Sequence, residues 1–100
     1  MSTTPQPTAV IASGADRYAD PWHPFPDTSP LIADVLEEAG FTVHIDDDID
    51  GAMTRLDGVD LLVVNAGDPW RDAEPVEVAQ GSFDGFAAAI DRGIGILAFH

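Results

Sequence analysis

Several side chains suited to chemistry lie together in one long loop of this chain, residues 14–28. Tyr18, Trp22 and His23 offer a hydroxyl, aromatic faces and an imidazole within a short segment. Ring faces and convergent hydrogen-bonding groups of this kind are what a polyol or sugar site requires. The loop also allows a purely structural interpretation, in which Tyr18, Trp22 and Phe25 only fold it onto the sheet edge and its carboxylates stay solvated.

Two further candidates each follow an apolar run. Asn65 follows Val59–Val64, and its amide could orient a substrate hydroxyl or carbonyl or, alternatively, form an Asx-turn with its own backbone. His100 directly follows Ile94–Phe99. Since ligands bind beyond the carboxyl ends of parallel strands, we expect His100 to be a proton-transfer group or a substrate ligand. His44 lies inside a run and is predicted to be packed or at a sheet edge.

Metal and cofactor motifs are weak or missing. Asp46-Asp47-Asp48 could hold a hard cation such as magnesium, but its spacing lacks the alternation of a calcium loop, and capping plus surface charge explains it more simply. The histidines show neither HxH nor HExxH spacing, and the chain contains no cysteine. Neither a GxGxxG motif nor a P-loop motif follows the first apolar run. We therefore expect neither a bound metal nor a cofactor.

The elements that must position these residues alternate between strands and helices. Near-continuous Val, Ile and Leu runs predict strands covered on both faces. The order β-α-β-α-β-α-β then predicts right-handed crossovers and a parallel sheet with helices on both faces, in a flavodoxin-like, doubly wound α/β fold. The predicted strands are Ala9–Ala12, Phe41–Ile45, Val59–Val64 and Ile94–Phe99.

Three helices are predicted between these strands. Ser29 followed by Pro30 is typical of a helix start, and glycine ends the first helix at Gly40. A second, weaker helix is predicted from about Asp50 to Leu56, and a third from near Ser82 to Gly93. The residues predicted to face the sheet are Leu31, Ile32, Val35, Leu36 and Ala39 in the first helix, Ala52, Met53 and Leu56 in the second, and Phe83, Phe86, Ala87 and Ile90 in the third.

Composition and charge exclude several classes of function. An apolar content of 45% predicts one globular domain, residues 8–100, after a flexible Ser/Thr/Pro-rich leader, residues 1–7. The net charge is -14, with four scattered arginines and no lysine, so nucleic acid and anionic membranes are poor partners. No apolar run approaches the roughly 20 residues that span a bilayer, and the leader lacks the features of a signal peptide. We therefore expect a cytoplasmic protein.

A set of segments in a defined order covers nearly everything after the leader. They are Ser13-Gly14, the loop with Tyr18 and Trp22-His23, the segment Thr28–Val43, the strand Asp60–Asn65 and the glycine-rich strand Arg92–His100. In this order they resemble the trehalose-utilisation (ThuA-like) family. The resemblance implies a fold similar to that of class I glutamine amidotransferases and a role in the metabolism of trehalose or related sugars.

The resemblance also carries expectations about the site and the length of the domain. In glutamine amidotransferases the strand equivalent to Ile94–Phe99 leads into a cysteine, whereas this chain has His100 there, so glutamine hydrolysis by a cysteine is not expected. Because the family's domains are longer, we expect this chain to be their N-terminal part, with a fold incomplete at the C-terminus. The expected ligand is a carbohydrate, bound by Tyr18, Trp22, His23 and Asn65 with His100 as the catalytic group.

The alternative is a non-catalytic sugar-responsive or interaction domain on the same scaffold, because a fold does not fix a function. A homo-oligomer is compatible with either.

Overall fold

The computed structural model describes residues 6–19, 22–67 and 78–99, apart from the side chain of Arg17. In chain order its elements are β1 (Thr8–Ser13), a 3-10 helix (Asp16–Tyr18), α1 (Phe25–Glu38), β2 (Thr42–Asp46), α2 (Ile49–Ala52), β3 (Leu61–Asn65), α3 (Gln80–Arg92) and β4 (Gly95–Phe99). Among these helices, none is long and apolar enough to cross a membrane.

The four strands form one parallel sheet in the order β2-β1-β3-β4. Ile11 of β1 pairs with Ile45 on one side and with Val63 on the other, and Val63 pairs in turn with Leu97. This strand order, with a helix after each of the first three strands, confirms the predicted flavodoxin-like α/β fold. The predicted strands are all present, and their ends differ from the prediction by a few residues at most.

Helices cover both faces of the central strands β1 and β3, and small residues make the closest contacts. The edge strands β2 and β4 are largely exposed, so the prediction that all four apolar runs are covered on both faces is wrong for these two. On one face, Ile11 and Val63 are completely buried beneath α1, whose Ala33 is 6% exposed. On the other face, Leu62 is buried together with Leu56 and with Ala89 of α3. Each face thus has its own apolar cluster, and the two are separated by the backbone of the central strands.

The start of α1 differs from the prediction. Ser29 does not cap the helix, which begins four residues earlier at Phe25, after Pro24 at the N-cap. Pro26, in the second position, has a fixed φ that already suits a helical turn, so the helix starts without a side-chain cap. Pro30 therefore lies inside the helix, where it has no N–H to donate to the preceding turn.

The predicted helix faces are also partly wrong. On α1, Leu31 and Val35 are 64% and 66% exposed, although Ile32 and Leu36 pack against the core as expected. On α3, Ser82 and Ala89 are the buried residues, whereas Phe83, Phe86, Ala87 and Ile90 are exposed. Small residues permit the closest approach of helix to sheet, and the larger apolar residues are left on the flanks of the helices.

Other local predictions are confirmed. Gly40 and Gly93 follow α1 and α3 with φ of 100° and 91°, which is the left-handed region that glycine tolerates. The second helix is a single turn, shorter than predicted, yet Ala52 and Leu56 are buried as expected. His44 lies exposed on β2, an edge strand.

Candidate functional site

The loop after β1 is fixed to the carboxyl edge of the sheet by backbone hydrogen bonds. The N–H of Gly14 donates to the carbonyl of Asn65 at the end of β3, at 2.8 Å. The N–H of Gly67, just beyond β3, donates to the carbonyl of Tyr18 at 2.7 Å. These bonds tie the loop to the neighbouring strand, so the 3-10 helix that carries Tyr18 has a defined position at the edge where α/β proteins bind ligands.

Close packing at Gly14 sets the path of this loop. A Cβ atom at position 14 would lie 2.6 Å from Cδ2 of Phe25 and 2.6 Å from the carbonyl oxygen of Tyr18. Only glycine allows Phe25, which is 4% exposed, to fill this space beneath the loop. Phe25 therefore fits the structural interpretation of the loop's aromatic residues, whereas Trp22 is 74% exposed.

A cleft of about 480 Å³ opens at this edge between the loop after β1 and the loop after β2. Inside it, the Tyr18 hydroxyl donates a hydrogen bond to Oδ1 of Asp50 at 2.7 Å. Three further carboxylates contribute to the lining. The lining residues are Ala15, Asp16, Tyr18, Asp47, Asp48, Ile49 and Asp50. Carboxylates only accept hydrogen bonds at neutral pH, so this surface suits a ligand rich in hydroxyl donors and opposes an anion.

Part of the acidic segment has structural roles. Asp46 accepts a hydrogen bond from Arg55 at 2.7 Å, and this bond, with the charge of Asp46, raises the pKa of the guanidinium. Asp48 caps α2 by accepting from the N–H of Gly51 at 3.1 Å, as the capping interpretation of this segment predicts. Within the described residues, no group of three or more acidic or histidine side chains has a geometry that could hold a metal ion.

Asn65 lies at the carboxyl end of β3, and its side chain is directed toward α1. Its amide nitrogen donates to Oγ1 of Thr28 at 2.9 Å and to Oγ of Ser29 at 3.0 Å, and the residue is 5% exposed. Ser29 in turn donates to Oγ of Ser13 at 2.7 Å. This buried polar cluster joins α1 to the ends of β1 and β3. The amide of Asn65 thus bonds to a helix rather than to its own loop, and a role for it in substrate binding stays a prediction.

The remaining candidates lie apart from the described lining of the cleft. The imidazole of His23 stacks on the ring of Phe25, with 5.7 Å between centroids and 17° between planes. Neither Trp22 nor His23 is among the lining residues, so Tyr18 is the one residue of the predicted set, within the described part of the chain, that lines the cleft. His100 lies outside the described residues.

The aspartates of the cleft were not among the residues predicted to bind the ligand; Asp47 and Asp48 were considered only for a cation or as capping and surface charge. Asp50 follows β2 closely, and a polar residue after a parallel strand lies at the ligand-binding edge, which is the signal that could have identified it. Asp16 has a φ of 51°, unusual for a residue other than glycine and tolerated by aspartate in tight turns.

Comparisons of the chain with protein-family models, with curated proteins and with solved structures found no match.

Proposed function

We propose that this chain is a ThuA-like domain that binds an uncharged carbohydrate, trehalose or a related disaccharide, in the cleft beside Tyr18. The observation that carries the proposal is the hydrogen-bonded pair of Tyr18 and Asp50 within a cleft of about 480 Å³ at the carboxyl edge of a parallel sheet. This volume lies within the range of small-molecule sites, about 300–1,000 Å³.

The chemistry of the cleft favours an uncharged polyol over a phosphorylated one. Four aspartates in the lining provide acceptors for sugar hydroxyls, and Tyr18 provides both a hydroxyl and a ring. The same negative charge, together with the net charge of -14, repels phosphate and carboxylate groups. A cytoplasmic location also forms part of the proposal, because it agrees with the metabolism of a free sugar.

Calorimetry on the whole chain with trehalose, maltose and a sugar phosphate tests this assignment. We expect the neutral disaccharides to bind and the sugar phosphate not to bind. Tyr18→Phe removes one hydroxyl and should weaken the affinity about five- to tenfold, the equivalent of one hydrogen bond. His44→Ala is the control, because His44 lies exposed on the edge strand β2 and outside the described lining of the cleft. Equal loss in both variants, or binding of the sugar phosphate alone, would place the site elsewhere.

The variant His100→Ala distinguishes a catalytic function from simple binding. If His100 transfers a proton, this variant should retain sugar affinity and lose turnover, typically by about 10²- to 10⁴-fold. A bound sugar that the unmodified chain leaves chemically unchanged would instead favour the non-catalytic, sugar-responsive domain.

A further inference from the structure

An apolar depression of about 230 Å³ adjoins the acidic cleft. Tyr18, Ile49 and Asp50 line both the cleft and the depression. The two meet at the hydrogen bond from the Tyr18 hydroxyl to the Asp50 carboxylate. A molecule bound in the cleft can therefore extend into the depression along the surface of these shared residues.

The other walls of the depression are almost entirely apolar. Met53 follows α2, Val64 belongs to β3, and Phe83 and Phe86 belong to α3. Asp50 is the one charged residue among its described lining. Because β3 is paired with a strand on each side, the depression lies over the interior of the sheet and not at one of its edges.

The polar groups at the border of the depression are hydrogen-bonded to one another. The Tyr18 hydroxyl donates to Oδ1 of Asp50 at 2.7 Å, and the Ser82 hydroxyl donates to the backbone carbonyl of Asp50 at 2.6 Å. Ser82 is also 4% exposed. These bonds use polar groups at the border, and the depression offers mainly apolar atoms to a ligand.

Two aromatic rings in the wall remain accessible. Phe83 is 57% exposed and Phe86 is 36% exposed. They are three residues apart on α3, a spacing that places side chains next to each other on a helix. Aromatic rings attract a further ring in offset-stacked or edge-to-face arrangements, in addition to the gain from removing apolar surface from water.

We propose that the depression is a subsite for an apolar ring attached to the sugar, so that the ligand of the site is an aryl glycoside. The inference rests on the proposed function, in which the cleft binds the sugar. A cavity of about 150 Å³ is sufficient for a benzene molecule, so about 230 Å³ holds one ring with a small substituent. Hydroxyls then meet the carboxylates of the cleft, and the ring meets Phe83 and Phe86.

The size of the depression favours a small ligand over a protein partner. A specific protein interface buries about 800 Å² on each partner, which is far more surface than a depression for one ring supplies. Its continuity with the cleft also favours a single molecule that has a polar end and an apolar end. A second sugar would place hydroxyls against walls that offer few hydrogen-bonding groups.

Calorimetry with phenyl α-glucoside and methyl α-glucoside tests the proposal, because the two ligands share one sugar. The phenyl ring adds roughly 100 Å² of buried apolar surface, so phenyl α-glucoside should bind about 10- to 100-fold more tightly. Trehalose, measured with the same protein, tests the proposed function separately. If trehalose binds but the two glucosides have equal affinity, this inference is wrong and the proposed function stands. If no carbohydrate binds, both are wrong.

Substitutions on α3 locate the ring. Phe83→Ala and Phe86→Ala should each reduce the advantage of phenyl over methyl α-glucoside about three- to tenfold and leave the affinity for methyl α-glucoside unchanged. Ile90→Ala is the matched control, because Ile90 is 45% exposed on the same helix and is not part of the described lining. Equal effects of the Phe86 and Ile90 substitutions would overturn the proposal.

Nuclear magnetic resonance of methyl-labelled methionine gives a test on the unmodified chain. The chain contains two methionines, and Met53→Leu identifies the signal of Met53, which lines the depression. Phenyl α-glucoside should shift this signal through the ring current of its phenyl group, and methyl α-glucoside should leave it nearly unchanged. An equal shift with both glucosides would place the ring outside the depression.

Discussion

Two glycines of α3 provide a matched test of how closely α2 and α3 pack. At Gly85, a Cβ atom would overlap the carbonyl oxygen of Met53 and lie 3.0 Å from its carbonyl carbon and 3.2 Å from Cα of Thr54. At Gly81, the nearest atom to such a Cβ is Cγ2 of Thr54, at 3.9 Å. Both glycines lie in the same helix, so alanine has a similar intrinsic advantage at each of them.

The two substitutions should change stability in opposite directions. Gly81→Ala gains helix propensity without a clash and should raise the free energy of unfolding by up to about 1 kcal/mol. Gly85→Ala gains the same propensity but forces backbone against backbone, and overpacking of this kind costs about 1–3 kcal/mol. We therefore expect a net loss of roughly 1–2 kcal/mol for Gly85→Ala.

Urea denaturation followed by far-UV circular dichroism measures both values. Stabilisation by both alanines would refute the close approach of Gly85 to the end of α2. A change in the denaturant slope with an unchanged midpoint would point to an effect on the unfolded state instead.

Two further substitutions test the polar cluster and a helix end by the same assay. Ser29→Ala removes a buried hydroxyl that accepts from Asn65 and donates to Ser13, and it should lower the free energy of unfolding by about 1–3 kcal/mol. Thr28→Ser keeps the second hydroxyl that accepts from Asn65, so it should change the free energy of unfolding little. Equal losses in Ser29→Ala and Thr28→Ser would contradict this account. Gly93→Val should cost about 1–2 kcal/mol, because Gly93 has a φ of 91° and the space beside it is open, so the strain lies in the backbone. Gly93→Asn should cost less, since asparagine tolerates this region, and identical midpoints for the two variants would exclude backbone strain as the cause.

The strands were predictable because each is a short run of β-branched and aliphatic residues. Leu62 and Val63 are completely buried on opposite faces of one strand, and burial on both faces produces the continuous apolar pattern that identifies a parallel strand. The parallel direction of the strands follows from the alternation of strands and helices. Gly40 and Gly93 end their helices as predicted, because a left-handed residue after a helix strongly favours glycine.

The start of α1 and the lining of the cleft were not predictable in the same way. The Ser29-Pro30 pair has the local features of a helix start, but Pro24 and Pro26 start the helix one turn earlier, and the Ser29 hydroxyl is bonded to Ser13, which is distant in sequence. Local patterns contain no information on such a contact. The cleft, likewise, depends on the meeting of two loops that follow different strands.

The wrongly predicted face of α3 has a physical cause. Periodicity identifies an apolar side of α3 but not which part of that side the rest of the fold covers. The close contacts of α3 are made by small residues: Ser82 donates to the carbonyl of Asp50 at 2.6 Å, and Ala89 packs with Leu62 of β3. Phe83 and Phe86 are left exposed at the depression that Ile49 and Met53 also line.

The proposed sugar cleft shares part of its lining with an apolar depression beside α3. Tyr18, Ile49 and Asp50 line the cleft and also line this depression of about 230 Å³, which includes Phe83 and Phe86. Ser82 of α3 donates a hydrogen bond to the carbonyl of Asp50 at 2.6 Å, so α3 contacts the residue that accepts from the Tyr18 hydroxyl. The position of Asp50 in the cleft therefore depends on the packing of α3 as well as on the loop after β2.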